Sequence, residues 1–193
     1  MHPWIGKSVF LAGMVALIVL RAPHEARSKA APVAESRKGA LETALLVGMS
    51  LGFLVLPLLG LTPLLGFADH ALPSWAFGAG VVCLAASLWL FHRSHADLGT
   101  NWSVTLEVRE EHRLVDSGVY RLVRHPMYTA LFLYSFGELL LFPNWIAGPA
   151  CLVAFTPMFL LRLRPEEQMM VDRFGERYEA YRRRTRRLIP YVW

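Results

Sequence analysis

Lysine is nearly missing from this chain. Lys7, Lys29 and Lys38 are the only three among twenty basic residues, a bias of the kind GC-rich prokaryotic genomes produce. Cysteine is scarce as well: Cys83 and Cys151 both sit inside apolar runs and form neither a CxxC pair nor any other metal-ligand spacing. That excludes a disulfide framework and a zinc site, and no metal is expected. A polar majority is also lacking. With 54% hydrophobic residues and a mean hydropathy of +0.36, the composition excludes an ordinary soluble domain and predicts a multi-pass membrane protein. The net charge of +5 would suggest nucleic acid in a soluble protein. Here the basic residues stand between and after apolar runs, where membrane orientation explains them and no nucleic-acid partner is expected.

The first apolar run, Trp4 to Leu20, is just long enough to span a bilayer. It is interrupted only by Lys7 near its outer end, and its other basic residues follow it at Arg21, Arg27 and Lys29, which is opposite to the polarity of a secretory signal and predicts a retained helix. Residues Ala22 to Gly39 read as a cytosolic linker with little structure of its own. The second run, Ala40 to about Leu65, carries Pro57 and Pro63, and the third runs from about Leu72 to Phe91. A polar segment follows, His92 to His125, in which the alternation Ser103 to Val108 predicts a short strand or extended arm. The fourth run, Met127 to Phe142, turns at Pro143-Asn144 and returns as Trp145 to Leu161, a tight helical hairpin. The expected fold is therefore all-α integral membrane, with about five transmembrane helices and an amphipathic cytosolic tail helix. Two parts are expected: residues 1–97 with helices one to three, and residues 98–193 as the functional core.

Counting charges orients the chain. Nineteen basic residues fall on one side of such a five-span arrangement and Lys7 alone on the other. The N-terminus is then outside and the C-terminus cytosolic.

The chemistry concentrates at Gly118-Val119-Tyr120-Arg121-Leu122-Val123-Arg124-His125-Pro126-Met127-Tyr128. The residue before proline is pushed out of the helical region, and proline suits a first helical turn, so a helix is expected to begin at Pro126. Arg124 and His125 then stand beside unpaired N–H groups, an arrangement suited to an anionic group, although membrane anchoring alone would also account for the basic cluster. Beyond the hairpin, Arg162-Leu163-Arg164-Pro165-Glu166-Glu167 reads as the start of the tail helix. Met170, Phe174, Tyr178 and Tyr181 follow as an apolar stripe along one face. The hairpin brings its two ends together, so Tyr120, Arg124, His125 and Tyr128 face Arg164, Glu166 and Glu167, and a zwitterionic ligand would fit between them. Glu138 is the one carboxylate in the middle of an apolar run, marking function, a buried pair or an interhelical hydrogen bond.

Three stretches then align with a known pattern: Leu98-Gly99-x-x-Trp102-Ser103; Leu114-Val115-x-x-Gly118-x-Tyr120-Arg121-x-Val123-Arg124-His125-Pro126-x-Tyr128; and Glu166-Glu167-x-x-Met170-x-x-x-Phe174-Gly175-x-x-Tyr178-x-x-Tyr181, ending Leu188-Ile189-Pro190. Together they resemble the isoprenylcysteine carboxyl methyltransferase family, which is close to the phospholipid N-methyltransferases. Ala130, where a glycine is common, and Met170, where leucine is usual, depart from the pattern without changing charge. The resemblance covers roughly the second half of the chain. It implies a membrane enzyme that uses S-adenosylmethionine to methylate a lipidic or prenylated acceptor arriving from the bilayer. Tyr120, His125, Pro126, Tyr128, Glu166 and Glu167 would contact the cofactor, and Arg124 and Arg164 the acceptor carboxylate. For a source of the kind the arginine bias suggests, the location would be the bacterial inner membrane, with the site facing the cytosol.

Such a reaction asks the protein mainly to hold donor and acceptor in line and to exclude water. A carboxylate acceptor is already ionised at neutral pH and needs no base, whereas an amine would need one. Other readings stand beside this one: an amine or thiol methyltransferase, an NADPH-dependent membrane isoprenoid reductase, or a non-catalytic membrane interaction module. Adjacent carboxylates at Glu166-Glu167 are a poor fit for a phosphorylated cofactor.

Overall fold

The structure, a computed structural model, describes residues 2–30, 33–36, 39–99, 107–109 and 113–192. Its elements in chain order are α1 (Pro3–Ala30), β1 (Val33–Ser36), α2 (Ala40–Ser50), a π-helical turn (Leu51–Val55), α3 (Leu56–Leu59), α4 (Ser74–Leu98), β2 (Glu107–Arg109), α5 (Pro126–Leu141), α6 (Ala150–Phe174) and α7 (Glu176–Arg184). Short 3-10 turns occupy Pro63–Ala68 and Gly118–Arg121. Apart from one antiparallel pairing of β1 with β2, the regular structure among the described residues is helical, as expected for the class.

Among the described residues three helical stretches are long and apolar enough to cross a membrane: Pro3–Arg27, Ala40–Leu59 and Ser74–Leu98. The fourth and fifth runs form the expected hairpin as α5 and the first part of α6. Pro126 does open α5, with His125 in a non-helical conformation just before it. In the turn, Asn144 Oδ1 accepts from the N–H groups of Ile146 and Ala147 at 3.0 and 2.9 Å, taking up donors that would otherwise be orphaned before α6.

The structure departs from the sequence-based expectations in the linker, at the end of α4 and in the tail. The linker is not free of structure: α1 continues through Pro23 to Ala30, helped by an Arg21–Glu25 pair at i,i+4 (3.1 Å), and Val33–Ser36 is a strand. Helix α4 runs past Phe91 to Leu98 and ends where Gly99 turns left-handed (φ 59°). Most of the arm expected at Ser103–Val108, together with Trp102 and Ser103, lies outside the described residues, and the strand that is seen is Glu107–Arg109. Finally, Pro165-Glu166-Glu167 does not start a helix. Helix α6 passes through both Pro157 and Pro165 without a break, so the two glutamates sit well inside the helix, away from any stabilising helix dipole. The apolar stripe of the tail is split at Gly175 (φ 52°), where α6 ends and α7 begins.

Small residues decide how closely the helices approach. At Gly137 of α5 an added Cβ would lie 3.3 Å from the Leu84 backbone nitrogen, and Ser87 Oγ donates to the Ala130 carbonyl at 2.7 Å. Such contacts between α4 and α5 are typical of membrane helix pairs, where close backbone packing replaces the hydrophobic drive. Phe10 of α1 meets Tyr134 and Phe142 edge or tilted, and Phe53 in the π turn stacks on Tyr134 (5.0 Å). Glu138 is fully buried against Cys151 of α6 without a well-formed hydrogen bond of its own.

At the end of the bundle remote from Pro126, Lys7 is buried. Its Nζ donates to the Gly60 carbonyl and to both Asp69 oxygens, each at 2.9 Å. Asn144 Nδ2 donates to the Leu65 carbonyl (2.7 Å) and to Asp69 Oδ1 (2.8 Å). One cluster therefore ties the start of α1 to the α3–α4 connection and to the hairpin turn.

Candidate active site

The corner before α5 is built from the end of α4. Asp97 Oδ2 accepts from the Val119 N–H (2.9 Å), which pins the Gly118–Arg121 turn beneath α4. Gly118 has φ 58°, and a Cβ there would collide with the Asp97 carboxylate, so only glycine suits the position. The turn places Tyr120 inward, with its hydroxyl 3.4 Å from the Ser94 carbonyl and its own carbonyl accepting from Tyr181 of α7 (2.7 Å).

The chain after α7 comes back to the same corner. Val123 and Arg186 form a parallel bridge, the Arg124 N–H donates to the Arg186 carbonyl (2.7 Å) and the His125 N–H to the Arg187 carbonyl (3.0 Å). One helical turn further on, Thr129 Oγ1 donates to the Leu188 carbonyl (2.8 Å). Nothing local in the sequence signals this strand-like return.

Glu167 is the centre of the charge network. It accepts from Arg124 Nε (3.0 Å) and from Arg187 (3.1 Å), and lies 3.4 Å from His125 Nε2. Burial raises the Glu167 carboxyl. Hydrogen bonds from His125 and Arg187 and the neighbouring Arg124 charge outweigh that and hold it well below the usual carboxylate range. The remaining reach of the Arg124 guanidinium goes to the tail: one terminal nitrogen donates to the carbonyls of Thr185 (2.6 Å) and Arg182 (3.2 Å).

Glu166 is different. Its side chain is 30% exposed; one oxygen accepts a short hydrogen bond from Tyr128, and the other lies 3.7 Å from His125 Nδ1. Arg162, one turn earlier on α6, approaches Glu166 at 3.9 Å and Glu42 of α2 at 3.5 Å. The rings of His125 and Tyr128 stack at 5.4 Å.

Arg124, His125, Tyr128, Arg162 and Glu166 line a cavity of about 630 Å³, within the size range of small-molecule sites. Its polar lining includes Arg113, Tyr120, Arg124, His125, Arg162 and Glu166, with Pro126, Tyr128, Tyr178 and Tyr181 alongside. Burial, with the nearby Tyr181 and Glu166, pushes the Tyr120 phenol up; burial and Glu167 do the same to Tyr178, so both stay neutral. Apolar side chains also line the cavity, among them Leu17 and Ile18 of α1 and Leu46, Met49, Phe53 and Leu54 of α2 and its π turn, together with the polar Arg21, Glu25 and Ser50. A second cavity of about 180 Å³ lies between α2 and α6 and shares Leu46, Met158 and Arg162 with the first.

The structure thus brings together Tyr120, Arg124, His125, Pro126, Tyr128 and Glu166 around one space, with Glu167 directly behind them. Arg164 stands apart: it is exposed and does not line the cavity, whereas Arg162 is buried and does. Residues 162 and 166 share a helix face, while 164 points about 200° away from 166. That face is legible only once α6 is known to continue through Pro165. Glu42, Arg21 and Glu25, all in the first half of the chain, also belong to the walls and carry no motif.

Residues 79–172 match the isoprenylcysteine carboxyl methyltransferase (ICMT) family. Among individual proteins, the chain is 29% identical over 113 residues to the protein-S-isoprenylcysteine O-methyltransferase of Schizosaccharomyces pombe, covering 58% of this chain and 48% of that one. Identity to the Xenopus laevis protein of the same description is 35% over 100 residues (49% and 33% of the two chains). To the Arabidopsis thaliana protein-S-isoprenylcysteine O-methyltransferase B it is 31% over 96 residues (49% of each). The chain spans about half, or less, of the length of these relatives. Among solved structures, the eukaryotic intramembrane Ras methyltransferase ICMT shares the fold with a TM-score of 0.53 at 24% identity, over 78% of this chain and 50% of that one.

Proposed function

We propose that this chain, whose residues 79–172 match the isoprenylcysteine carboxyl methyltransferase family, is an integral membrane enzyme that methylates a lipidic acceptor. The donor is S-adenosylmethionine and the acceptor group is the carboxylate of an isoprenylcysteine-like or isoprenoid molecule. One observation carries the reading: a single cavity is lined both by Glu166, Tyr128, His125 and Arg162 and by apolar side chains of α1 and α2. In this reading α5 and the apolar part of α6 are the fourth and fifth crossings, and the site and C-terminus face the cytosol at a bacterial inner membrane.

The donor set suits the cofactor. Glu166, partly exposed and oriented by Tyr128, takes a cationic ammonium; Arg113 and the His125 ring suit a carboxylate; neutral Tyr120, Tyr178 and Tyr181 supply aromatic walls. When bound, S-adenosylmethionine contributes an electrophilic methyl group on sulfur. Glu167, with its oxygens already engaged, acts from behind by holding Arg124 and His125 in place. Of the two arginines expected to meet the acceptor, Arg124 serves as this tie, and the role expected of Arg164 passes to Arg162. Held between Glu42 and Glu166, Arg162 can orient an acceptor carboxylate without the full grip of an isolated guanidinium, which avoids over-stabilising the ground state. The carboxylate needs no proton removed. The apolar side chains of α1 and α2 accept the chain and keep water away from the reacting end.

Calorimetric titration of the solubilised protein with S-adenosylhomocysteine and with NADPH tests the donor. Binding of the first alone is expected; binding of NADPH alone assigns a reductase, and binding of neither a non-catalytic module. Incubation of a lipid extract with methyl-labelled cofactor and mass analysis of the product tests the acceptor. A base-labile methyl ester is expected, and a base-stable product moves the acceptor to an amine or thiol.

A further inference from the structure

The tail segment Thr185–Leu188 does more than close the site. It runs parallel to the chain entering α5: Arg186 lies beside Val123, the Arg187 carbonyl meets the His125 N–H, and the Leu188 carbonyl meets Thr129. The backbone therefore advances in the direction of α5, from the polar corner toward the apolar layer. Leu188 completes this descent by packing with Tyr128, Phe155 and Phe159. Beyond it, Ile189, Tyr191 and Val192 emerge 52%, 89% and 72% exposed. Tyr191 takes a left-handed conformation (φ 65°), uncommon for a residue other than glycine. Just upstream Arg183 and Arg186 are exposed. Their neighbours are engaged, Arg182 with Glu179, Arg184 with Asp116 and Arg187 with Glu167, but neither has an acidic partner among the described residues.

Apolar and aromatic side chains at the level of the first turns of a membrane helix, with uncompensated arginines just above, have the chemistry of an interfacial anchor. The charge that complements them is the headgroup layer of an anionic leaflet. We propose that Ile189–Val192 together with Arg183 and Arg186 forms an anchor for anionic phospholipid on the side of the membrane where α5 begins. The anchored strand supplies the carbonyls that Arg124 and His125 bond. Leaflet charge therefore sets how firmly the corner of the site is held. The anchor does not depend on which acceptor is methylated.

Hydrogen exchange of the full chain in nanodiscs, neutral phosphatidylcholine against a mixture with phosphatidylglycerol, reads both ends of the link. Exchange in peptides covering 183–192 and 120–128 is expected to slow together in the anionic discs, by about five-fold for each arginine engaged. Replacing Arg183 and Arg186 by glutamine is expected to erase the difference between the two discs while S-adenosylhomocysteine still binds. Ile189→Ser with Val192→Ser is expected to speed exchange of the tail in both. Equal exchange in the two lipids, or a difference that survives the double arginine variant, overturns the proposal. So does protection that tracks protein concentration instead of lipid charge, which assigns the face to a second copy of the chain.

Discussion

The two ends of α5 each carry a buried ionic cluster, and the clusters differ in how much they leave open. At the Lys7 end, the ammonium is closed in by Asp69 and the Gly60 carbonyl, and Asn144 fills the rest. Lys7, Gly60, Asp69 and Asn144 line neither of the two cavities described above. At the Glu167 end a similarly engaged core, Glu167 with Arg124 and Arg187, is backed against a layer that is not closed: Glu166, His125 and Arg162 look into about 630 Å³ of space. The same chemistry serves first as a fastener and then as a fastener supporting a binding surface. Charge burial by itself therefore does not locate a site; incomplete satisfaction beside a cavity does.

Breaking the second fastener should have the largest effect. Glu167→Ala leaves Arg124 and Arg187 without their carboxylate, and loss of one partner from a buried pair costs about 3–5 kcal/mol. A large fall in Tm in detergent is expected, with cofactor-analogue binding lost because the corner itself is released. Glu166→Gln should do the opposite: Tm stays near that of the parent chain, while S-adenosylhomocysteine affinity drops by the roughly 1.5–3 kcal/mol of a charge-assisted hydrogen bond. Similar Tm losses for the two variants would erase the distinction between support and surface.

Lys7→Met tests the other end. Asp69 is a third exposed and can turn to water, so the expected loss is smaller, about 1–2 kcal/mol, with analogue affinity unchanged. Arg162→Ala should leave analogue binding in place and reduce methyl transfer at least ten-fold, whereas Arg164→Ala should alter neither. Activity lost in the second and kept in the first would return the acceptor to Arg164.

The smallest expected effect is with pH. The folded Glu167 carboxyl lies below its ordinary value, so its contribution is fully present above about 4.3, the unfolded value. It fades only as acid takes the pH down through the depressed folded value. Tm should therefore be flat in this respect between pH 8 and 5 and fall below that, with a shallower acid limb in Glu167→Gln.

The features legible in the residues alone obey local rules. Pro126 opens a helix because proline fixes its own φ and restricts the residue before it, and Pro143-Asn144 turns the hairpin because the Asn144 side chain caps the start of the returning arm. The convergence of Tyr128 with Glu166 comes from the hairpin's geometry. Arg162 escapes such a reading for a physical reason: a proline normally interrupts a helix, and starting a new one at Pro165 removes the face that 162 and 166 share. The return of Thr185–Leu188 to Val123–Thr129 is a pairing across some sixty positions, which no periodicity records. Glu42, Arg21 and Glu25 look like ordinary surface charges on apolar helices until the bundle is assembled.

The π-helical turn at Leu51–Val55 has a genetic consequence. Such a turn holds one residue more than the α-helix around it, and each residue rotates a helix by about 100°. Deleting a single codon there would remove the extra residue and join α2 directly to α3, with Pro57, which has no N–H to donate, then inside the joined helix. It would also swing Glu42, Leu46 and Met49 a quarter-turn or more away from Phe53 and Leu54, so the two halves of the cavity wall would no longer face the same way. Reading frame and helix would both survive the deletion, yet the phase of the helix would not, and Arg162 would lose its neighbour on α2 without any substitution near it.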